Sequence, residues 1–196
     1  MKMNNANESK VILVGDPSVG KTSLIQQYNR RIFESDSEST VGASFVNQVV
    51  KTEKGDITLH IWDTAGQERY RSLIPMYSRN AVAALLVLDI TKIESYRSRE
   101  LWINILKSNC LPHCRIYVAA NKIDLEKVDL QVPLNDLKSW CESNGFDLFL
   151  TSAKDYQSID AVFRKISIDI IDSKKVLTDK TQNALEVNPE PKNQCC

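Results

Sequence analysis

The chain has 196 residues, 42% of them apolar and 26% charged, with 25 basic side chains against 25 acidic ones. That length and composition suit one globular domain with a sizeable core, and zero net charge leaves no global basic field to draw nucleic acid or acidic lipid. Five cysteines at irregular spacing form no disulfide framework of the small secreted kind.

The opening stretch, MKMNNANESK, is polar and has no apolar core of a secretory leader. Residues 1–9 read as a disordered arm. "KVILVG" (10–15) then reads as a short buried strand. It runs into "GDPSVGKTS" (15–23), which contains G-x-x-x-x-G-K-[ST] as Gly15, Gly20, Lys21 and Thr22, and a helix is expected from Lys21 to about Arg30. A glycine-rich turn lets successive N–H groups point at one anion, and the helix after it aims its positive end at the same place. The expected phosphate cradle therefore runs from Ser18, Val19 and Gly20 to Lys21, Thr22 and Ser23. Lys21 adds a full charge for the β- and γ-phosphates, and Thr22 offers a hydroxyl to Mg²⁺. Pro17 has no N–H to give but precedes the cradling amides, so binding is expected to survive and hydrolysis to change modestly.

"SFVNQVVKT" and "ITLHIWD" are β-rich runs joined across Glu53, Lys54, Gly55 and Asp56, a hairpin signal. "WDTAGQE" (62–68) follows. Asp63 at a strand end suits Mg²⁺, which keeps several waters and takes few protein ligands. Gly66 permits close backbone approach to a γ-phosphate, and Gln67 carries both a donor and an acceptor to orient a water. "VAALLVLDI" (82–90) and "RIYVAAN" (115–121) are continuous apolar runs, as in central parallel strands covered on both faces. The longest uninterrupted apolar run, residues 81–88, is far short of a membrane span. Cys110-x3-Cys114, with His113 between, lacks the second pair that would complete four zinc ligands.

"NKID" (121–124) follows the second of these runs. Guanine presents N1–H and N2–H₂ side by side, and one carboxylate accepts from both, so Asp124 selects guanine over adenine. Asn121 is placed to bridge loops, and the Lys122 stem to lie on the base. "TSAK" (151–154) follows the strand-like "FDLFL", and Ser152, Ala153 and Lys154 would turn backbone N–H groups to the guanine O6. Apolar residues at helical spacing mark helices around Leu101–Leu106, Leu134–Cys141 and Ile159–Ile170. The alternation predicts an α/β fold, an open and mostly parallel sheet with helices on both faces and ligands beyond the carboxyl ends of the strands. From 175 to 196 periodicity fades and Asn, Gln, Pro, Lys and Glu collect, as in a flexible tail.

Taken in order, "GDPSVGKTS", "WDTAGQE", "NKID" and "TSAK" resemble the Ras superfamily of small GTPases over about residues 10–174. The resemblance implies a six-stranded P-loop GTPase fold, GTP and GDP as ligands, Mg²⁺, and slow hydrolysis stimulated by an activating protein. It assigns Thr40 of "STVGASF" to both Mg²⁺ and the γ-phosphate, with Thr22 and Asp63 as the other metal residues, and Phe33 as the ring beside guanine. Lys21 and Gln67 become the catalytic residues. "TVGASF", "WDTAGQERYRSL" and the cysteine ending look like the Rab branch of membrane traffic, with an early-endosomal flavour in "VGASF" and "SLIPMYSR". Alternatives are a secretory Rab and a GTP-bound scaffold with little hydrolysis.

In Rabs, Phe45, Trp62 and Tyr77 match the aromatic triad that meets effectors. An exchange factor, an activating protein, a GDP-dissociation inhibitor and effectors are the implied partners of a monomeric switch. Ser78-Arg79-Asn80 stands where Rabs carry Tyr-Arg-Gly, and the region 92–99 is atypical. Cys195 and Cys196 match the paired geranylgeranylation site, which implies attachment to the cytosolic face of endosomal or vesicle membranes. The last four residues fail the C-a-a-X rule because Asn193 stands in the place of its cysteine.

Overall fold

The computed structural model describes residues 7–34, 39–125 and 130–186, with side chains described as far as 176. Six strands form one sheet in the order β2-β3-β1-β4-β5-β6. They are β1 (Glu8–Val14), β2 (Ala43–Thr52), β3 (Gly55–Thr64), β4 (Ala83–Asp89), β5 (Arg115–Asn121) and β6 (Asp147–Thr151). Only the β2–β3 hairpin is antiparallel, with Phe45 opposite Trp62 and Thr52 opposite Gly55. All other pairings are parallel. The expected α/β architecture is therefore present, with its six strands and its single reversed edge.

Period-two alternation sends neighbouring residues to opposite faces, so a strand covered on both sides must be apolar throughout. In β1, Val11 and Leu13 enter one core while Ile12 and Val14 enter the other. In β4, Leu85 and Val87 divide from Leu86 and Leu88 in the same way. The first face is covered by α1 (Lys21–Arg30), through Leu24, Ile25 and Tyr28, and by α6 (Tyr156–Glu186), through Ile159, Val162, Phe163 and Ile166. The second face is covered by α2 (Ile74–Ser78), α4 (Arg99–Asn109) and α5 (Leu134–Asn144), through Ile74, Trp102, Leu106 and Leu137. A 3₁₀ turn over Glu68–Leu73 precedes α2, and α3 is the single turn Ile93–Arg97.

Two boundaries differ from expectation. Strand β1 already includes Glu8 and Ser9, where an arm was expected; residues 1–6 lie outside the described residues. Helix α6 continues to Glu186, eleven residues past the expected start of the flexible tail. The physical reason lies in the composition of 175–186, which holds neither glycine nor proline; Pro189 and Pro191 come only after the helix. Residues 187–196, including Cys195 and Cys196, lie outside the described residues.

The departures at 78–80 are accommodated locally. Asn80 adopts φ 63, the left-handed conformation that asparagine tolerates better than other side chains. The fully buried Ser78 hydroxyl donates to the Ile74 carbonyl at 2.8 Å.

Candidate functional site

β1 lies between β3 and β4, so the loops leaving β1 and β3 open beside each other at their carboxyl ends. A cleft of about 400 Å³ lies there, lined by Pro17, Ser18, Gly20, Lys21, Thr22, Ser23, Phe33, Thr40, Gly66, Gln67, Asn121, Lys122, Asp124, Ala153 and Lys154, together with Glu34, Ser39, Thr64 and Leu125. Of the residues expected from sequence, Gly15, Val19, Asp63 and Ser152 are not part of this lining.

The phosphate-type end is built from buried charge. Lys21 is 5% exposed, and its ammonium donates to the carbonyls of Gly15 at 2.9 Å and Asp16 at 2.8 Å. Burial pushes it down to about 8, against the opposing pull of Asp63 and Asp16. Asp63 is 1% exposed; burial raises its pKa, while the Thr22 hydroxyl, Lys21 and Ser44 work the other way. Desolvation thus disfavours both charged forms, a penalty that an anion beside Lys21 and a cation beside Asp63 would relieve.

The donor set suits a small hard cation. The Thr22 hydroxyl donates to Asp63 Oδ2 at 2.7 Å and lies 2.8 Å from the Thr40 hydroxyl, while Asp63 Oδ1 is buried with no hydrogen-bond partner. One carboxylate and two hydroxyls, with room for water, fit Mg²⁺. Among the described residues no group of three or more His, Cys, Asp or Glu could hold a metal.

Two glycines let the loops close on each other. A Cβ on Gly66 would lie 2.5 Å from the Gly15 and Asp16 carbonyl oxygens, so only glycine brings this loop against the phosphate loop. Gly20, at φ 100, faces the Asn121 amide with no space for a side chain. The Asn121 amide donates to the Val19 carbonyl at 2.8 Å, which ties "NKID" to the phosphate loop. The loop after α1 is joined to the one after β3 by Ala65 N–H, which donates to the Gly42 carbonyl at 2.8 Å.

The other end is more open. The Asp124 carboxylate accepts from the Ser152 hydroxyl at 2.7 Å and pairs with the Lys154 ammonium at 2.8 Å. Partial desolvation raises its pKa, but Lys154, Ser152 and its own backbone N–H outweigh that and hold it below the usual carboxylate range. It is therefore an ionised double acceptor at neutral pH. The Ser152 N–H donates to the Ser158 hydroxyl and the Lys154 N–H to the Ser152 hydroxyl, each at 3.1 Å, which leaves the Ala153 N–H for a ligand. The Phe33 ring lies 5.5 Å from the Lys154 ammonium. The Lys122 ammonium donates to Asp89 at 2.6 Å and to the Ser18 carbonyl at 2.9 Å, so its head group braces the phosphate loop while its stem crosses the cleft wall.

Three supporting residues were not singled out by a motif: Asp89 and Trp102 lie outside the four short motifs, and Asp16 fills a position that the first of them leaves unspecified. Asp89 is fully buried and also accepts from Thr91 N–H and hydroxyl; a carboxylate ending the apolar run 82–90 was the available signal. Asp16 accepts from Trp102 Nε1 at 2.8 Å and from the Ser98 hydroxyl at 2.6 Å. Trp102 also lies under the Arg71 guanidinium, 5.6 Å away, so α4 touches both loops that meet at Gly66. No sequence signal joins residues 86 positions apart.

Phe45, Trp62 and Tyr77 form a tilted stack outside the cleft, with ring centroids 5.4 and 5.6 Å apart. Phe45 is 48% exposed, while Trp62 and Tyr77 pack half-buried on the second core. His60 stacks on Phe45 at 5.7 Å and bonds to Asn47, so this histidine belongs to the same surface. Among the described residues no helix is long and apolar enough to cross a membrane.

Comparison with known proteins agrees with this geometry. The Ras family model matches residues 10–172. A probable Rab-related GTPase of Acanthamoeba polyphaga mimivirus is 39% identical over 93% of this chain and 84% of its own length. The Ras-related protein rab-11.1 of Caenorhabditis elegans is 36% identical over 95% of this chain and 93% of its own length.

Proposed function

The chain belongs to the Ras family and is a Rab-like small GTPase, and from that premise we propose a switch that recruits membrane-traffic effectors in its GTP state and is reset by slow hydrolysis. The observation that carries this reading is one cleft joining Lys21, Thr22, Thr40 and Gln67 at one end to Asp124 at the other.

In this reading the amides of 18–22 and the Lys21 ammonium hold the β- and γ-phosphates, and Asp124 with the Ala153 N–H reads guanine. Thr22 and Thr40, with Asp63 through water, would hold Mg²⁺, which when bound neutralises charge on the phosphate oxygens. Gln67 orients the attacking water in line with the γ-phosphate, and Lys21 with the loop amides stabilises the charge that develops. Among the described residues lining the cleft there is no arginine, so intrinsic turnover is expected to be slow, on the order of 10⁻⁴ s⁻¹ as in Ras, and an activating protein to complete the site. The output is conformational: contacts from the γ-phosphate to Thr40 and Gly66 order the two loops, and hydrolysis releases them.

The exposed Phe45 ring and the half-buried Trp62 and Tyr77 rings beside it are the proposed effector surface, formed on strands and a helix that border both loops. Exchange factor and GDP-dissociation inhibitor act on the same monomer. Cys195 and Cys196 are the proposed geranylgeranyl sites, and stable anchoring takes two such signals. The proposed location is the cytosolic face of endosomal or vesicle membranes, cycling with cytosol, on the strength of "VGASF" and "SLIPMYSR".

The test is displacement of a fluorescent GDP from the purified protein, with membrane fractionation in cells. GTP displaces it and ATP does not; the wild type fractionates with endosomal membranes, while Cys196→Ser moves to the cytosol. Equal displacement by ATP overturns the nucleotide assignment, and unchanged fractionation of Cys196→Ser overturns the lipid one.

A further inference from the structure

Helix α1 ends on a residue whose backbone does not suit its side chain. Arg31 adopts φ 59 and ψ 33, the left-handed conformation that glycine usually supplies at a helix end, and its N–H donates to the Gln27 carbonyl at 3.0 Å. A long side chain stays in that conformation only where its surroundings hold it. Here the Arg31 guanidinium lies over the face of the Tyr156 ring. Tyr156 opens α6, and its hydroxyl donates to Asp160 at 3.0 Å. The rings continue inward: Tyr156 stacks on Tyr28 at 5.9 Å and Tyr28 on Phe163 at 4.3 Å, with Tyr28 and Phe163 buried in the first core. The exposed Arg31 therefore caps a column of rings rooted in the core.

This contact ties together the two chain segments that flank the base end. Phe33, 42% exposed, follows Arg31 with only Ile32 between them. Lys154, the ion-pair partner of Asp124, precedes Tyr156 with only Asp155 between them. The Phe33 ring and the Lys154 ammonium face each other across 5.5 Å. Neither Arg31 nor Tyr156 lines the cleft. The stack thus joins the loop that carries Phe33 to the loop that carries Ala153 and Lys154 without being part of the cleft wall. Fixing two arms of a site to each other in advance lowers the ordering cost that a ligand must meet.

We propose, on the guanine-nucleotide reading above, that the Arg31–Tyr156 stack is a latch that sets how long the nucleotide stays bound. While it is closed, Phe33 and the 151–154 loop are held on the base together. When the guanidinium lifts off the ring, Phe33 moves away with the loop after α1, and the base loses one wall. Release then begins at the base end whichever phosphates are present, so GDP and GTP dissociation share the same control. Arg31 and Tyr156 are positioning residues, acting through Phe33 and Lys154. The phosphate end keeps its own anchors, the Lys21 bonds to the Gly15 and Asp16 carbonyls and the Asn121 bond to the Val19 carbonyl.

The test is the rate at which the full chain, loaded with a fluorescent GDP, releases it into excess unlabelled GDP. Arg31→Gly keeps the left-handed helix end and removes the guanidinium; release is expected to quicken about three- to ten-fold, the range of one partly exposed cation–π contact. Tyr156→Leu removes the ring face and is expected to do the same, and the double variant to release no faster than either single one. Tyr156→Phe keeps the ring and loses only the bond to Asp160, so its release is expected to match the wild type. Single-turnover hydrolysis of bound GTP is expected to stay level in every variant, a split that a general loosening of the fold would not give. Wild-type release from Arg31→Gly, or additive effects in the double variant, would overturn the latch and leave the nucleotide assignment standing. A wild-type protein that takes up no GDP would overturn both.

Discussion

At the phosphate end of the cleft, Lys21 and Asp63 are 5% and 1% exposed; at the base end the Lys154 and Asp124 side chains are 54% and 25% exposed. The first end is pre-organised by backbone carbonyls, buried charge and a glycine packed on the phosphate loop. The second is a wet ion pair that a ligand can share. The difference teaches a division of labour. On the proposed reading, the buried, desolvated charge binds strongly and senses one phosphate more or less, whereas the more exposed carboxylate selects the base.

The comparison breaks most visibly at Lys21. Removing one partner of a buried charge pair costs about 2–5 kcal/mol, so Lys21→Ala should weaken GTP by a factor on the order of 10² to 10³, measured by fluorescent nucleotide titration, with the GTP-to-ATP preference intact. Next is Asp124→Asn. Losing a charged acceptor costs about 1.5–3 kcal/mol, and the loss should be equal for GTP and GDP. Xanthine carries an oxygen where guanine has its amino group, so competition assays should show the variant gaining XTP as it loses GTP.

A smaller effect is expected at Trp102→Phe, which keeps the ring over the second core but removes the hydrogen bond to Asp16. About 1 kcal/mol should be lost, from triphosphate binding and hydrolysis together, with base preference unmoved. The smallest is Pro17→Ser. Pro17 lines the cleft with Gln67, and single-turnover hydrolysis should change by a few-fold while affinity stays level; identical rates with and without an activating protein would remove Pro17 from the account.

These variants also mark what was legible in the sequence. The four loops were readable because each packs its chemistry into four to nine consecutive residues at a strand end. The central strands were readable because burial on both faces leaves no polar position. Trp102 with Asp16, and Lys122 with Asp89, were not readable as pairs, since folding brings distant residues together. The five-residue helices α2 and α3 are too short for a 3.6-residue period to register. The extension of α6 to Glu186 was hidden because the apolar stripe fades while helix-forming composition continues. Thr40, Phe33 and the aromatic stack were legible only through family resemblance, as nothing in their own spacing distinguishes them from core residues.

The central claim is that the phosphate end reports the γ-phosphate and the base end ignores it. Amide hydrogen exchange of the GDP-bound protein and of the protein with a non-hydrolysable GTP analogue tests it directly. Protection should rise at 39–42 and 65–67 in the triphosphate form and stay level at 121–125 and 151–154. Equal protection of 39–42 and 65–67 in both forms, or a change centred on 121–125, would contradict it.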